Sequence, residues 1–336
     1  MRVEAQYMTK TAETTDADLD NGRDDAAMSK EQWDVIVIGG GVAGLSAALI
    51  LARARRRVLI LDAQSPRNRY AAHMHGVLGR DGYSPLDLVA DGAREVRAVG
   101  GVILQTTARA ARSVSGGFEV TTTDGIVVSG RHLIFATGAR DLLPDIPGLA
   151  EQWGRGVVAC PYCDGYENRD RTIGVLAASI AGLHKAHMLR SYSADIVVFT
   201  ALAGDVPASD RELLEARGMR IETTPVKETV IDGSTLTGLV LENGTSIPID
   251  VVFVEPPLIA QDELLQQLGA ALSDSPFGPW TSVDAAGRTS VPGVWAVGNA
   301  ANPTALVPIA AGSGATAALA LNAELIGADI AASSVR

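Results

Sequence analysis

The most regular hydrophobic pattern in the chain lies at residues 33–64, which read WDVIVIGGGVAGLSAALILARARRRVLILDAQ. Two apolar runs, at 34–38 and 57–62, have the length of buried strands. The stretch between them, 42–54, has helical spacing of apolar residues and follows directly on three glycines. The pattern predicts a strand, a helix and a second strand, which together form a compact βαβ unit.

A weaker copy of this pattern occurs at residues 172–200. The apolar run TIGVLAAS is followed by a helical stretch through Tyr192 and then by a second apolar run, ADIVVFT. Two such copies predict an internal duplication of a nucleotide-binding architecture. The predicted fold class is therefore α/β, with two Rossmann-like units.

Turn signals and composition divide the rest of the chain. Asp124-Gly125 within 118–138 and Asn243-Gly244 within 238–257 are dipeptides typical of hairpin turns between strands. Residues 1–31 are rich in acidic residues, Thr and Ala and lack apolar periodicity, so they are predicted to form a disordered tail.

The segment 289–323 contains no charged residue, which raises the alternative of a membrane-spanning helix. Several prolines and glycines interrupt it, and most of its apolar residues are alanines, which are only weakly hydrophobic. A loop followed by a buried helix beneath a cofactor is the favoured interpretation.

Composition and charge exclude some classes of function. The 336 residues are 47% hydrophobic and 20% charged, with a formal net charge of −11, so nucleic acids and anionic membrane surfaces would be repelled. The N-terminal segment is polar and acidic and contains no apolar leader, so we expect a cytoplasmic protein. In that reducing location, a pair of cysteines is more often reactive or metal-binding than structural.

The glycines of the first βαβ unit match the dinucleotide-binding fingerprint. Gly39 permits a tight turn, Gly41 lets the backbone approach a pyrophosphate, and Gly44 lets helix and strand pack closely. Asp62 ends the second strand, where a carboxylate accepts ribose hydroxyls and repels a 2′-phosphate. The site is therefore predicted to hold FAD or NAD(H) rather than NADP(H).

The second unit lacks most of this fingerprint. Ala177, Ser179 and Gly182 occupy the corresponding positions, and Thr200 stands where an acidic residue would end the next strand. Added Cβ atoms would meet an approaching phosphate, so the use of NADPH is doubtful. An NADPH site with an unusual loop remains an open alternative.

The chain's two cysteines, Cys160 and Cys163, form a CxxC motif followed by Asp164. A structural zinc needs four ligands, which His73 and His75 could complete. The redox alternative explains more, because one thiolate can attack, its neighbour can resolve the mixed disulfide, and the carboxylate can carry the proton. No metal is expected.

With these motifs assigned, nearly all of the chain after residue 32 resembles the low-molecular-weight thioredoxin reductase family. The resemblance rests on four segments: GGGVAG at 39–44, IFATG at 134–138, CPYCDG at 160–165 and VPGVWAVGN at 291–299. It implies two three-layer ββα domains. FAD would be held by 32–148 and 268–336, and an NADPH-binding-like domain carrying the CxxC would be inserted at 149–267. It also implies a homodimer.

The resemblance also implies residue roles. Cys163 would lie nearest the flavin, Cys160 would exchange with substrate, and Asp164 would be the acid–base group. Asn299 stands where the family usually has Asp, and its amide could still bond a ribityl hydroxyl. The other implied cofactor-binding residues are Thr137, Gly138, Gly298 and Val307, the last at the start of a helix directed at the flavin pyrimidine ring.

Departures from the reductases resemble a branch of the family, the FAD-dependent dithiol oxidases that close disulfides in natural products such as holomycin and gliotoxin. The similarity lies in CPYCDGYE, in PRNRYAAHMHGVLGRDGYSP at 66–85 and in the incomplete second loop. Several members of that branch have His after the second Cys, whereas this chain has Asp164, as reductases do. The remaining candidates for the flavin face are Arg67, Asn68, His73 and His75.

Three hypotheses follow. The favoured one is a dithiol oxidase acting on a small-molecule dithiol with O₂ as the electron acceptor. The second is an NADPH-dependent disulfide reductase with a thioredoxin-like protein partner. The third is a flavoprotein redox sensor without significant turnover.

Overall fold

The computed structural model describes residues 31–180 and 182–334, so the predicted tail lies outside the described residues except for Glu31. Two sheets, each packed against helices, organise these residues; the first is mixed and the second is parallel. The first sheet is formed by two separate parts of the chain, and the second lies between them in sequence. The predicted α/β class with two Rossmann-like units, one of them discontinuous, is confirmed.

The first sheet has the strand order β3-β2-β1-β6-β5-β4, and β19 also pairs with β6. Its first βαβ unit begins and ends within two residues of the predicted bounds, and β5 and β6 form the predicted hairpin around Asp124-Gly125. The strands and helices are β1 (Gln32–Ile38), α1 (Val42–Arg53), β2 (Val58–Asp62), α2 (Pro85–Ala98), β3 (Val102–Gln105), β4 (Ala108–Val114), β5 (Gly117–Thr122), β6 (Val127–Phe135) and β19 (Val294–Ala296).

The second sheet is parallel throughout, in the order β11-β10-β9-β15-β8. One face packs on helices, and the other packs on the antiparallel β12-β13-β14 sheet, which gives three layers. The elements are β8 (Val157–Val158), α3 (Pro161–Asp164), β9 (Ile173–Leu176), α4 (Leu183–Leu189), β10 (Ile196–Phe199), α5 (Ala208–Ala216), β11 (Arg220–Glu222), β12 (Val226–Asp232), β13 (Thr235–Leu241), β14 (Ser246–Pro248) and β15 (Val251–Val254).

A small antiparallel sheet joins the two halves, because β7 (Ala139–Asp141) pairs with β16 (Leu258–Ala260). The next helix, α6 (Glu263–Gln267), buries its leucines in the core of the first sheet. The chain thus returns to the first half near β16, and the boundaries at 148/149 and 267/268 stay predictions. The remaining elements are β17 (Leu272–Ser275), β18 (Gly278–Thr281), α7 (Val307–Ser333) and two single 3₁₀ turns at Ala201–Ala203 and Gly298–Ala300.

The long apolar helix α7 packs along α1 in the core of the first half. By length and composition alone it is the one helix among the described residues that could cross a membrane. Its inner face, which includes Ala317, Ala318 and Leu321, is fully buried against the first sheet's core. Gly314 makes this packing close, because a Cβ there would overlap the carbonyl oxygen of Ala43. This helix is therefore a core helix of the first half, as the favoured interpretation of the segment predicted.

This close approach predicts a position-specific cost of adding one methyl group. Gly314→Ala should lower the free energy of unfolding by about 1–3 kcal/mol, because the overlap forces α7 away from α1. Gly312→Ala is the matched control, since a Cβ there meets no atom within 4 Å and helix propensity predicts a gain of up to about 1 kcal/mol. Denaturant unfolding of both variants decides. Equal stabilities would contradict the close packing.

Candidate active site

One cavity of about 780 Å³ lies between the two halves and contains both predicted motifs in its wall. The first glycine loop lines one part, and the CxxC lines another. The predicted site residues that reach the cavity are Gly39, Gly41, Asp62, Arg67, Asn68, His73, His75, Thr137, Gly138, Cys160, Cys163, Asp164, Gly298, Asn299 and Val307. Gly44 is the one predicted residue outside this lining.

The three fingerprint glycines differ in what surrounds them. Gly39 has a φ of +108°, and a Cβ there would overlap the carbonyl of Ala136, so it makes the tight turn. A Cβ on Gly41 would point into open space, which leaves its backbone accessible to a ligand. A Cβ on Gly44 would overlap the Gly39 carbonyl, so Gly44 allows the helix to pack behind the loop.

Gly40, which was not predicted as a site residue, positions Asp62. Its N–H donates to Asp62 Oδ1 over 3.2 Å, and the Gln64 N–H donates to the same oxygen over 3.0 Å. A Cβ on Gly40 would overlap the Asp62 carboxyl group. The sequence did contain a signal for Gly40: it is the middle glycine of GGG, and the fingerprint spacing assigns no role to that position.

The wall beside the first glycine loop fits a flavin dinucleotide. Thr137 Oγ1 is buried and, among the described residues, has no hydrogen-bond partner, so it can bond a cofactor. Gly298 has a φ of +61° and lies against Ala43, and α7 begins at Val307 with its first turn facing the cavity. FAD would be held by the Gly39–Gly41 loop, Asp62, Thr137 and the start of α7.

Asn299 has a further role beyond the one predicted for it. Its amide nitrogen donates to the carbonyls of Asn302, Pro303 and Ala305 over 3.0–3.1 Å, which organises the loop before α7. An aspartate could donate none of these bonds. The side-chain carbonyl oxygen therefore remains as the group that could bond a ribityl hydroxyl.

Arg67 lines the cavity, but its guanidinium is paired within the protein. It forms a bidentate ion pair with Asp141 over 2.6 and 2.8 Å and also donates to the carbonyl of Pro303. Asp141 was not predicted, because 74 residues separate the partners in sequence. Asn68 lies in the wall beside this pair and keeps its candidate role toward the cofactor.

The two cysteines form a disulfide at the start of α3. Cys160 caps this short helix, Pro161 begins it, and the Cys163 N–H donates to Cys160 Sγ over 3.2 Å. That N–H would stabilise negative charge on Cys160 when the pair is reduced. The zinc alternative would need both sulfurs as thiolates, and no metal-binding group of three or more His, Cys, Asp or Glu occurs in the described part of the chain.

Asp164 lies beside the disulfide in a setting that favours its neutral form. Burial, followed by the negative charge of Glu167, raises its pKa from 3.8 to about 6, while His75 opposes the shift. A carboxyl group with this pKa can both give and take a proton near neutral pH. The predicted acid–base role is therefore chemically available.

His73 and His75 make separate contacts and do not act as a pair. His73 Nδ1 lies 3.1 Å from the carbonyl oxygen of Gly82. His75 Nδ1 lies 3.5 Å from Asp81 Oδ2 and 3.6 Å from Glu167 Oε1. His75 thus bridges a loop of the first half and the segment after the CxxC, close to Asp164.

A redox disulfide and a dinucleotide loop in one cavity define a flavin-linked disulfide oxidoreductase. The chain belongs to the pyridine nucleotide-disulphide oxidoreductase family, whose model matches residues 33–314. Membership implies that the protein binds FAD and that it is a thioredoxin reductase-like oxidoreductase.

Individual relatives support the same assignment. The thioredoxin reductase tcpT of Claviceps purpurea is 32% identical over 87% of this chain and 94% of its own. The crystal structure of HlmI has a TM-score of 0.86 and 40% identity over 91% of this chain and 96% of its own. An oxidoreductase from Agrobacterium tumefaciens has a TM-score of 0.82 and 37% identity over 88% and 99%.

The raised pKa of Asp164 predicts a pH-dependent cost in stability. The folded protein holds this proton more tightly than the unfolded chain, so stability is lost as pH rises from about 4 to about 6. Asp164→Asn should therefore raise the free energy of unfolding at pH 7.5 by about 1–3 kcal/mol, with little gain at pH 4.

Unfolding of this variant at both pH values checks the prediction. Glu151→Gln is the control, since it removes an exposed carboxylate from the same half. A stability gain that is equal at both pH values would show that burial of charge is not the cause.

Proposed function

We propose that the protein is an FAD-dependent dithiol oxidase that closes an intramolecular disulfide in a small-molecule dithiol. The observation that carries the proposal is the disulfide's position in the wall of the cavity that contains the first glycine loop. Sulfur and flavin would then meet without a rotation of the two halves. A small dithiol suits this arrangement because it can enter the cavity beside the disulfide.

The first step breaks the protein disulfide. A substrate thiolate attacks Cys160 Sγ, a mixed disulfide forms, and Cys163 leaves as a thiolate. Asp164 supplies a proton to this leaving sulfur, since its pKa of about 6 keeps part of the population protonated near neutral pH.

The second step releases the product. The second substrate thiolate attacks the substrate sulfur of the mixed disulfide, so the cyclic disulfide forms and Cys160 leaves as a thiolate. The Cys163 N–H, 3.2 Å from Cys160 Sγ, stabilises this charge. FAD, when bound, supplies the two-electron acceptor that reoxidises the cysteines and passes the electrons to O₂, so one dithiol and one O₂ give one disulfide and one H₂O₂.

An exposed aromatic side chain supports an organic substrate. Tyr162, between the two cysteines, is 70% exposed and lines the cavity. Its ring presents a flat apolar surface beside the reactive sulfurs, where the body of a small dithiol could pack. A homodimeric assembly and a cytoplasmic location stay predictions.

The second candidate function is an NADPH-dependent disulfide reductase with a thioredoxin-like protein partner. Two observations favour it: Asp164 follows the second cysteine as in reductases, and the relative tcpT is named a thioredoxin reductase. This function would need NADPH to reach the flavin. It predicts turnover that requires NADPH and consumes no dithiol.

Oxygen consumption separates the two candidates. We expect a dithiol such as reduced dithiothreitol to support O₂ uptake and H₂O₂ formation in a one-to-one ratio without NADPH. Cys160→Ser and Cys163→Ser should each abolish this turnover while FAD stays bound, because neither can form the disulfide. NADPH oxidation that depends on a disulfide substrate, with no dithiol-driven O₂ uptake, would contradict the proposal.

Asp164→Asn should slow dithiol oxidation by about 10²–10⁴-fold, because it removes the proton donor to Cys163. The wild-type pH–rate profile should show an ionisation near pH 6 that the variant lacks. Stopped-flow kinetics across pH 5–8 checks both. Full activity in the variant, or an unchanged profile, would show that Asp164 does not transfer the proton.

A further inference from the structure

The turn between β9 and α4 in the second half is filled by the protein's own side chains. In a Rossmann fold, the nucleotide pyrophosphate binds at this first βα turn, where backbone N–H groups are free to donate to it. Here the Gly182 N–H already donates to Ser179 Oγ over 3.1 Å and to the Ser179 carbonyl over 3.0 Å. The Ser179 carbonyl and hydroxyl oxygens together take a donor that a phosphate would otherwise use.

Glu255 brings a carboxyl group to the same place. It follows directly on β15, the neighbour of β9, and a Cβ built on Gly182 would lie 2.6 Å from Glu255 Oε2. That oxygen is buried, and no hydrogen-bond partner for it exists among residues 31–180 and 182–334. Glu255 also lines the central cavity. A carboxylate here would repel an approaching phosphate.

Lys185 is a nearby cation that could offset this repulsion, but two of its N–H groups are already used by backbone carbonyls. Its ammonium group donates to the carbonyls of Ala159 and Val254 over 2.6 and 2.7 Å. Burial lowers its pKa to about 8, against the opposing charges of Glu255 and Asp141. The bond to Ala159 holds the residue that precedes Cys160, so Lys185 ties the second βα unit to the disulfide.

The next strand end also lacks a group for a nucleotide. Thr200 follows β10, at the strand end where a side chain would contact the nucleotide ribose, and it is buried with its hydroxyl 3.4 Å from the Glu222 carbonyl oxygen. Its side chain is therefore turned toward the sheet.

We propose that Glu255 and Ser179 are specificity-determining residues that occupy the pyrophosphate position of the second half and exclude NADPH from it. The second half instead holds the disulfide in place. Lys185 is a positioning residue, because it bonds the carbonyl of Ala159 next to Cys160. This inference rests on the proposed function, because an enzyme that excludes NADPH must take its electrons from a dithiol.

Direct binding of NADP⁺ to the FAD-loaded protein tests the proposal without relying on activity. We expect no NADP⁺ binding to wild type by calorimetry at a Kd below about 1 mM. Glu255→Gln, which removes the charge and keeps the shape, should tighten binding at least about tenfold, and Ser179→Gly combined with Glu255→Gln should tighten it further. Glu242→Gln is the control, since it removes an exposed carboxylate of the same half away from the turn.

Two results would overturn the inference. One is wild-type binding as tight as that of the double variant, and the other is a Glu255→Gln protein that holds FAD but binds NADP⁺ no better than Glu242→Gln. If the double variant does not hold FAD, the Glu255→Gln protein alone decides, because its side chain has nearly the same volume.

Dithiol-dependent O₂ uptake by the same wild-type preparation keeps this inference separate from the proposed function. If wild type oxidises no dithiol while Glu255→Gln gains NADP⁺ affinity, the proposed function is contradicted and the role of Glu255 is supported. If wild type oxidises dithiols while Glu255→Gln gains no NADP⁺ affinity, only the role of Glu255 and Ser179 is contradicted.

Discussion

The rest of the structure depends on one constraint: the Cys160–Cys163 disulfide must lie in the wall of the cavity that the first glycine loop also lines. Electrons pass between sulfur and flavin only when the two lie together, so the inserted half must present α3 to this cavity. The β7–β16 pairing joins the halves beside it, and Gln261 Nε2 donates to the Thr137 carbonyl over 2.6 Å. Lys185 holds the residue before Cys160 from the other side.

Buried polar atoms without partners mark the same cavity. Among the described residues, Thr137 Oγ1 and Glu255 Oε2 are buried without a hydrogen-bond partner, and His75 Nδ1 has only carboxylate oxygens at 3.5 and 3.6 Å; all three residues line the cavity. Such atoms cost free energy and persist mainly where a ligand or a reaction uses them. Thr137 would face the cofactor, His75 lies near Asp164, and Glu255 faces the filled turn. The carboxyl group of Asp164, held partly protonated by burial, follows the same principle.

The local parts of this arrangement could be predicted from the sequence. Strand and helix bounds, hairpin turns, the tight turn at Gly39, the close packing at Gly44 and the CxxC depend on short segments whose backbone geometry their residues dictate. The direction of long-range side chains could not be predicted. Arg67, a candidate for the flavin face, lines the cavity, but nothing local indicated that it would pair with Asp141 or that Glu255 would lie beside Gly182. Periodicity assigns a residue to an element but does not give its tertiary partner.

The most direct test of the account is anaerobic reduction of the bound FAD, followed by its absorbance, with a dithiol and with NADPH in parallel. The account predicts that excess dithiol bleaches the flavin of wild type, that the flavin of Cys163→Ser stays oxidised, and that NADPH has no comparable effect. Rapid bleaching by NADPH together with none by any dithiol would contradict it, because electrons would then enter through the half that the structure assigns to holding the disulfide.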